Sequence, residues 1–477
     1  MTNSKRGRGL RRLAALSALA VGLLGFTAPA SAAVGPNIDA EDVGTITLHK
    51  FEQPSPNGDP ADGTQQDTTG LTPIKGVVFQ YQPVAGVDLT TNDGWDRAAE
   101  IAGGSSLVPP EALGTAVPFP ATDANGSTSL SDLPLGLYRI SEVSHPADSN
   151  IVKAIDPFYV TVPLPTVGET PGWNYNIHVY PKNAVVELPT KAVDDDAAIS
   201  LGDEVDFPID IKVPAFQSVE QLISFSITDD LDSRLEYVSA TVTLTDAAND
   251  VVPLTEGTDY TLSTTNPVEL TFLAPGLVKL FNAPNGNVNL TITAKVVGDP
   301  DLGDGTIENT AIANVNGVEF GTNEVLTTWM PVKVLKYAEG DTSNGLAGAV
   351  FEVYDAATGG NLLAFNGVTR FTTNADGEFI LPGLKAGVTV YLQEVTAPDG
   401  YFALEDRIEV NVPSTASVVA GVVVPYDVQV ANKPIPEWLL PLTGGAGNNA
   451  FMIAGGVLMV GALGAALAMS RRKTVQA

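Results

Sequence analysis

Two six-residue stretches, Thr45-Ile-Thr-Leu-His-Lys50 and Pro331-Val-Lys-Val-Leu-Lys336, open the two halves of a weak internal repeat. In each, apolar residues alternate with other residues, and a lysine stands where the next apolar residue is due. Such alternation marks a half-buried strand, because successive side chains point to opposite faces. Ile46 and Leu48 therefore share a face that Lys50 continues, and Val332 and Val334 share one that Lys336 continues. An ammonium on an apolar face is costly, so each lysine needs a partner or must lose its charge.

The repeat extends beyond its opening strands. Ile74-Lys-Gly-Val-Val-Phe79 corresponds to Leu346-Ala-Gly-Ala-Val-Phe351. The stretch Leu133–Glu142 corresponds to Leu381-Pro-Gly-Leu-Lys385 followed by Val390-Tyr-Leu-Gln-Glu394. Further alternating runs are Tyr175–Tyr180, Phe207–Val213, Leu222–Thr228, Val288–Val297 and Asp427–Ala431, with turn signals such as Asn125-Gly126 and Asp376-Gly377 between runs. Long helical periodicity is scarce outside the two ends. The pattern predicts an all-β chain of three tandem Ig-like β-sandwich domains over 33–184, 185–330 and 331–434, the outer two alike.

The ends read differently. Lys5, Arg6, Arg8, Arg11 and Arg12 precede an apolar stretch from about Leu13 to Phe26, and Ala30-Ser31-Ala32 offers a cleavage site. Residues 1–32 are read as a secretory signal peptide. Residues 435–477 hold a short stalk, then Leu440-Pro441-Leu442-Thr443-Gly444, an apolar run Ala450–Met469 and Arg471-Arg472-Lys473. That run is long enough to cross a bilayer, with its positive tail on the cytoplasmic side. The net charge is −30, and loss of the five and three basic residues of the two ends takes it to −38. So acidic a chain is a poor partner for nucleic acid. It has no cysteine, so an exported form has no disulfides.

Parity supplies partners for the lysines. Tyr138, Ile140 and Glu142 share a face, as do Val390, Leu392 and Glu394; each set ends in an inward carboxyl. Asn183 lies on the face of Ile177 and Val179, and Asn432 on that of Val428 and Val430. In the middle stretch Asp229 shares a face with Phe225 and Ile227, and Asn309 with Ile307, Ala311 and Ala313; Lys191 is the available amine. Asn323 is the second choice of acceptor there.

These sets resemble the collagen-adhesin domains of Gram-positive surface proteins, B-type at the two outer positions and A-type in the middle. The resemblance implies spontaneous Lys–Asn isopeptide bonds: Lys50–Asn183, Lys191–Asn309 and Lys336–Asn432, assisted by Glu142, Asp229 and Glu394. The segment Tyr391–Tyr401 is similar to the pilin E-box, whose first-domain counterpart Glu142-Val-Ser-His145-Pro is degenerate. The Leu440–Gly444 segment resembles a cell-wall sorting signal, cut by a sortase between Thr443 and Gly444. Trp173-Asn-Tyr-Asn-Ile-His-Val-Tyr-Pro-Lys182 resembles the pilin motif, whose lysine accepts that acyl group. Alternation puts Trp173 and Tyr175 inward, and Tyr180 and Lys182 outward, leaving Lys182 an exposed amine.

Taken together, the chain resembles the major shaft pilin of sortase-assembled pili. Implied partners are other copies of itself, a pilus-class sortase, minor tip or base pilins, peptidoglycan and a host surface. The rival is a monomeric wall-anchored adhesin binding host matrix or glycan, which has no need of Lys182. No enzyme is expected. His49, His145 and His178 form no obvious cluster, and no cofactor or metal is implied. Asp194-Asp195-Asp196 reads as a solvated acidic loop in preference to a calcium site.

Overall fold

The computed structural model describes residues 38–436, apart from 59, 106, 167–171 and 299–301. The signal peptide, Leu440–Gly444 and the apolar run with its basic tail lie outside the described residues. Among those described, no helix is long and apolar enough to cross a membrane. The described residues form mostly strands, with two short α-helices among them, Asn92–Ala102 and Ala274–Phe281. The first has Thr91 at its N-cap, where the hydroxyl accepts the Gly94 N–H at 3.1 Å. Neither helix stands out in the alternating pattern.

In the N-terminal part, strand Val43–His49 lies between Asn176–Val179, parallel to it, and Ser127–Pro134, antiparallel. Val78–Pro83, Gly136–Ser144 and Phe158–Val162 form the facing sheet with Val117–Pro118. Ile46, Leu48, Phe79 and Ile140 are fully buried between the two. The middle part pairs a sheet of Thr190–Lys191, Glu204–Lys212, Asn287–Val296 and Leu235–Thr245 with one built on Phe225–Asp229, Val268–Phe272 and Ala311–Val315.

The C-terminal part repeats the first arrangement. Strand Val325–Ala338 pairs in parallel with Tyr426–Asn432 and antiparallel with Glu378–Lys385. Facing it are Val350–Tyr354, Thr389–Thr396 and Ile408–Asn411. The boundary expected at 330 falls inside the unbroken strand Val325–Ala338. Ile199–Asp203 also groups with the C-terminal unit, where the Leu201 N–H reaches the Gly383 carbonyl at 3.2 Å.

The two turn glycines noted in the sequence have one task. Gly126 (φ +72°) and Gly377 (φ +78°) occupy the left-handed region, and each accepts the N–H of a buried lysine, Lys50 at 2.7 Å and Lys336 at 2.8 Å. A Cβ on Gly126 would stand 2.2 Å from the Lys50 carbonyl oxygen, and one on Gly377 2.5 Å from that of Lys336. Only glycine allows this approach.

Candidate functional site

Strand register explains why lysine and asparagine meet. Lys336 pairs with Val430 on the parallel last strand, and Asn432 is two residues further along. In the first domain Phe51 pairs with Lys182 and Glu52 with Asn183, so Lys50 and Asn183 stand in the same offset. Residues offset by two share a face and are within reach of a long side chain. The carboxyl comes from the opposite sheet. Glu142 is paired across its strand with Phe79, and Glu394 with Phe351, each just past a bulge in the pairing.

Lys50, Lys336 and Asn432 are fully buried, and Asn183 almost so. Lys50 Nζ donates to Asn183 Oδ1 and, at 2.9 Å, to Glu142 Oε2. The Asn183 amide nitrogen donates to both Glu142 oxygens at 2.8 and 2.9 Å, while the Ile155 N–H donates to Asn183 Oδ1 at 2.8 Å. Lys336 Nζ donates to Asn432 Oδ1 and lies 3.3 Å from Glu394 Oε1. The Asn432 amide nitrogen donates to both Glu394 oxygens at 2.9 and 3.0 Å, and the Leu404 N–H anchors Glu394 Oε2 at 2.9 Å. In both sites the carboxyl therefore faces the nitrogen that amide formation would expel.

The middle set is built across the sandwich. Lys191 Nζ is hydrogen-bonded to Asp229 Oδ2, both side chains being fully buried. Asn309 is 3% exposed, and its carboxamide is near enough to help hold the Asp229 carboxyl charged. Yet neither its nitrogen nor its oxygen, nor Asp229 Oδ1, has a partner in good hydrogen-bond geometry among the described residues. Asn323, the second choice, is exposed and spends its amide on the Lys191 backbone, accepting its N–H at 3.0 Å and donating to its carbonyl at 2.9 Å.

Burial sets the electrostatics. Loss of hydration pulls Lys50 down to about 8, against the opposing pull of Glu142. Lys191 and Lys336 are lowered for the same reason, partly offset by Asp229 and Glu394. Burial raises Asp229, with Lys191 opposing. Each amine also lies over an aromatic ring: Lys50 over Phe79 at 5.6 Å, Lys191 over Phe207 at 5.4 Å, Lys336 over Phe351 at 5.5 Å. The sequence repeat contained Phe79 and Phe351, but periodicity registers them only as core.

The pilin-like segment departs from simple alternation. Tyr180 is buried where an outward side chain was expected, and Trp173 and Tyr175 are only half-buried where inward ones were expected. Strand Asn176–Val179 stops before Pro181, which breaks the alternation. Residues 63–66 also cover its outer side: Gly63 accepts the His178 N–H at 2.9 Å, and the Tyr180 hydroxyl accepts the Gln66 N–H at 2.5 Å. Trp173 stacks on Trp95 of the unforeseen helix, with centroids 5.1 Å apart. Lys182 opens strand Lys182–Val185 and is half-buried, not the exposed amine expected. Burial lowers its pKa, and its ammonium has no hydrogen bond or ion pair among the described residues. The histidines were expected to form no obvious cluster, and two of them do meet: His49 Nε2 and His178 Nδ1 are 2.9 Å apart, because parallel pairing sets Thr47 opposite His178.

Four family models match in succession. Residues 41–184 fit the Gram-positive pilin subunit D1, N-terminal domain; 186–328 fit the Sgo0707 N2 domain; 331–423 fit a prealbumin-like fold domain; 439–475 fit the LPXTG cell wall anchor motif. The chain is 29% identical to fimbrial subunit type 2 of Actinomyces naeslundii, over 98% of this chain and 97% of that one. It is likewise 29% identical to fimbrial subunit type 1 of Actinomyces viscosus, over 98% of both. The full-length major pilin SpaD of Corynebacterium diphtheriae superposes with a TM-score of 0.67 at 27% identity, over 83% of this chain and 98% of that one. With the buried lysine sets and the anchor motif on one chain, these matches support a non-enzymatic structural subunit of a cell-wall-anchored pilus shaft, similar over nearly its whole length to Gram-positive fimbrial subunits.

Proposed function

We propose that copies of this subunit join head to tail through an amide between Thr443 of one and Lys182 of the next. We further propose that Lys50–Asn183, Lys191–Asn309 and Lys336–Asn432 close internal amides within each copy. One observation carries the internal bonds: three separate lysines are buried over an aromatic ring and beside a carboxyl, and each carboxyl has a buried asparagine next to it. A desolvated lysine supplies a neutral amine, which is the attacking form. The amine adds to the asparagine Cγ, the carboxyl carries a proton from Nζ to Nδ2, and ammonia leaves. In the middle domain this expels the buried Asn309 nitrogen, which has no partner in good hydrogen-bond geometry among the described residues.

For the external link, Lys182 combines partial desolvation with an ammonium that has no hydrogen bond or ion pair among the described residues. A pilus-class sortase would cut after Thr443 and hand the acyl group to it. Minor tip or base pilins and peptidoglycan would take the two ends of the polymer. The test is Lys182→Arg, which keeps the charge but removes a usable nucleophile. The variant should be exported and anchored as a monomer, with no high-molecular-weight ladder on denaturing gels. A persisting ladder overturns the assignment.

A further inference from the structure

The two outer sites hold their carboxyls differently. Glu394 is anchored by a backbone N–H, that of Leu404. Glu142 is held instead by an imidazole side chain: His145 Nδ1 lies 3.1 Å from Glu142 Oε1, just after strand Gly136–Ser144. The Glu142 side chain is 1% exposed and that of His145 33%, so the imidazole joins a sealed site to solvent. The other groups facing Glu142 are Lys50 from the first strand and the neutral Asn183 from the last. This is the place where the E-box pattern is degenerate in the sequence.

We propose that His145 is a positioning and proton-setting residue for the first domain's own amide formation, making that bond, unlike the third domain's, responsive to external pH. The inference rests on the reading that Lys50 and Asn183 react. Glu142 Oε1 and Oε2 both face the Asn183 nitrogen, and His145 fixes the Oε1 end. Asn183 Oδ1 is already held by the Ile155 N–H, which can support the negative charge that develops on that oxygen. When His145 is protonated, two cations face Glu142, so the carboxylate stays charged and Lys50 keeps its protons. When His145 is neutral, Glu142 takes a proton from Lys50, and the free lone pair attacks Cγ. The carboxyl proton passes to Nδ2 and a proton from Nζ returns to the carboxylate. The Cγ–Nδ2 bond then breaks, ammonia departs, and Nζ–Cγ remains as an amide. Imidazole is the side chain whose charge changes between about pH 5 and 8.

The experiment uses the full chain, pulse-labelled in a Gram-positive host without a pilus sortase, with the medium held at pH 5.5, 6.5 or 7.5. Cross-linked Lys50–Asn183 and Lys336–Asn432 peptides are quantified by mass spectrometry during the chase. The wild type should close the first-domain bond more slowly at pH 5.5 than at 7.5, relative to the third-domain bond in the same molecules. His145→Phe should slow the first-domain bond about tenfold at pH 7.5, the effect of losing a hydrogen bond to a charged group, and leave the third-domain bond unchanged. His145→Gln, which keeps a hydrogen-bonding side chain, should close the bond near the wild-type rate at pH 7.5 but lose the relative pH dependence. Should His145→Phe lose both bonds through misfolding, His145→Gln alone decides: a retained pH dependence overturns the proposal. Equal closure in wild type and His145→Phe at every pH also overturns it. If the wild type shows only the Lys336–Asn432 peptide, the underlying reading of Lys50 and Asn183 fails instead, and the inference with it.

Discussion

Glu394→Gln tests the third-domain chemistry with the least change in shape. Glutamine fills the same space and can still accept from the Asn432 amide, but it cannot carry a proton from Nζ to Nδ2. The domain should fold with Lys336 and Asn432 in place and no bond between them. The size of the effect follows from the chain. The pair is 96 residues apart, so the bond closes a loop of that length in the unfolded state. A covalent link across about 100 residues stabilises by roughly 5 kcal/mol on loop entropy. For a domain of about 100 residues that is a fall of roughly 20–40 °C in Tm. Glu394→Gln also leaves a buried ammonium without its carboxylate, which costs roughly another 3–5 kcal/mol. Lys336→Met removes the bond but leaves the buried Glu394 carboxyl without its cation, so the double variant Lys336→Met/Glu394→Gln separates the terms and should show the loop term alone. Scanning calorimetry gives Tm, and intact mass with peptide mapping shows which bonds formed. Two results would refute this reasoning: a Lys336–Asn432 peptide in Glu394→Gln, or an unbonded Lys336→Met/Glu394→Gln domain that melts within about 5 °C of wild type.

Other outcomes follow from the same geometry. In Asn183→Ala the unreacted Lys50 should make stability depend on pH. Its folded pKa of about 8 lies below the ordinary lysine value of 10.5, so the unfolded chain binds the proton more tightly. Stability should therefore rise from about pH 8 to 10.5, by roughly 3 kcal/mol in urea titrations, and the rise should vanish in the bonded wild type. In the middle domain Asn309→Ala should abolish the cross-linked peptide; Asn323→Ala should retain it and lose roughly 1–3 kcal/mol with its two backbone hydrogen bonds. Gly377→Ala should hinder folding of the third domain far more than Gly359→Ala, because only at Gly377 does a new Cβ meet the Lys336 carbonyl oxygen.

Much of this was legible in the sequence because strands write their faces with period two. Ile46, Leu48 and Lys50, or Val390, Leu392 and Glu394, announce inward positions by parity alone, and the repeat then sets equivalent residues side by side. Parity fails where a strand stops. Tyr180 and Lys182 follow such a break, and the loop that covers them, residues 63–66, is more than a hundred positions away in sequence. It also says nothing of which sheet faces which, so Phe207 beneath Lys191 and the His49–His178 pair emerge only from the fold. Nor could it separate Asn309 from Asn323, since that depends on whether the amide points at a carboxyl or at a backbone.

The position of Lys182, at the start of the strand that holds Asn183, has a mechanical consequence. In the head-to-tail fibre proposed above, pulling force would enter each subunit at Lys182 and leave at Thr443. With the internal amides in place, the load path follows backbone from 182 to 191, crosses side chains to Asn309, follows backbone to Lys336, crosses to Asn432 and exits. Everything between 191 and 309, and between 336 and 432, is shunted. On that path the N-terminal residues 38–181 would carry none of the load. Such a filament would stretch little before a covalent bond failed, and its N-terminal domains could unfold under other stresses without lengthening it.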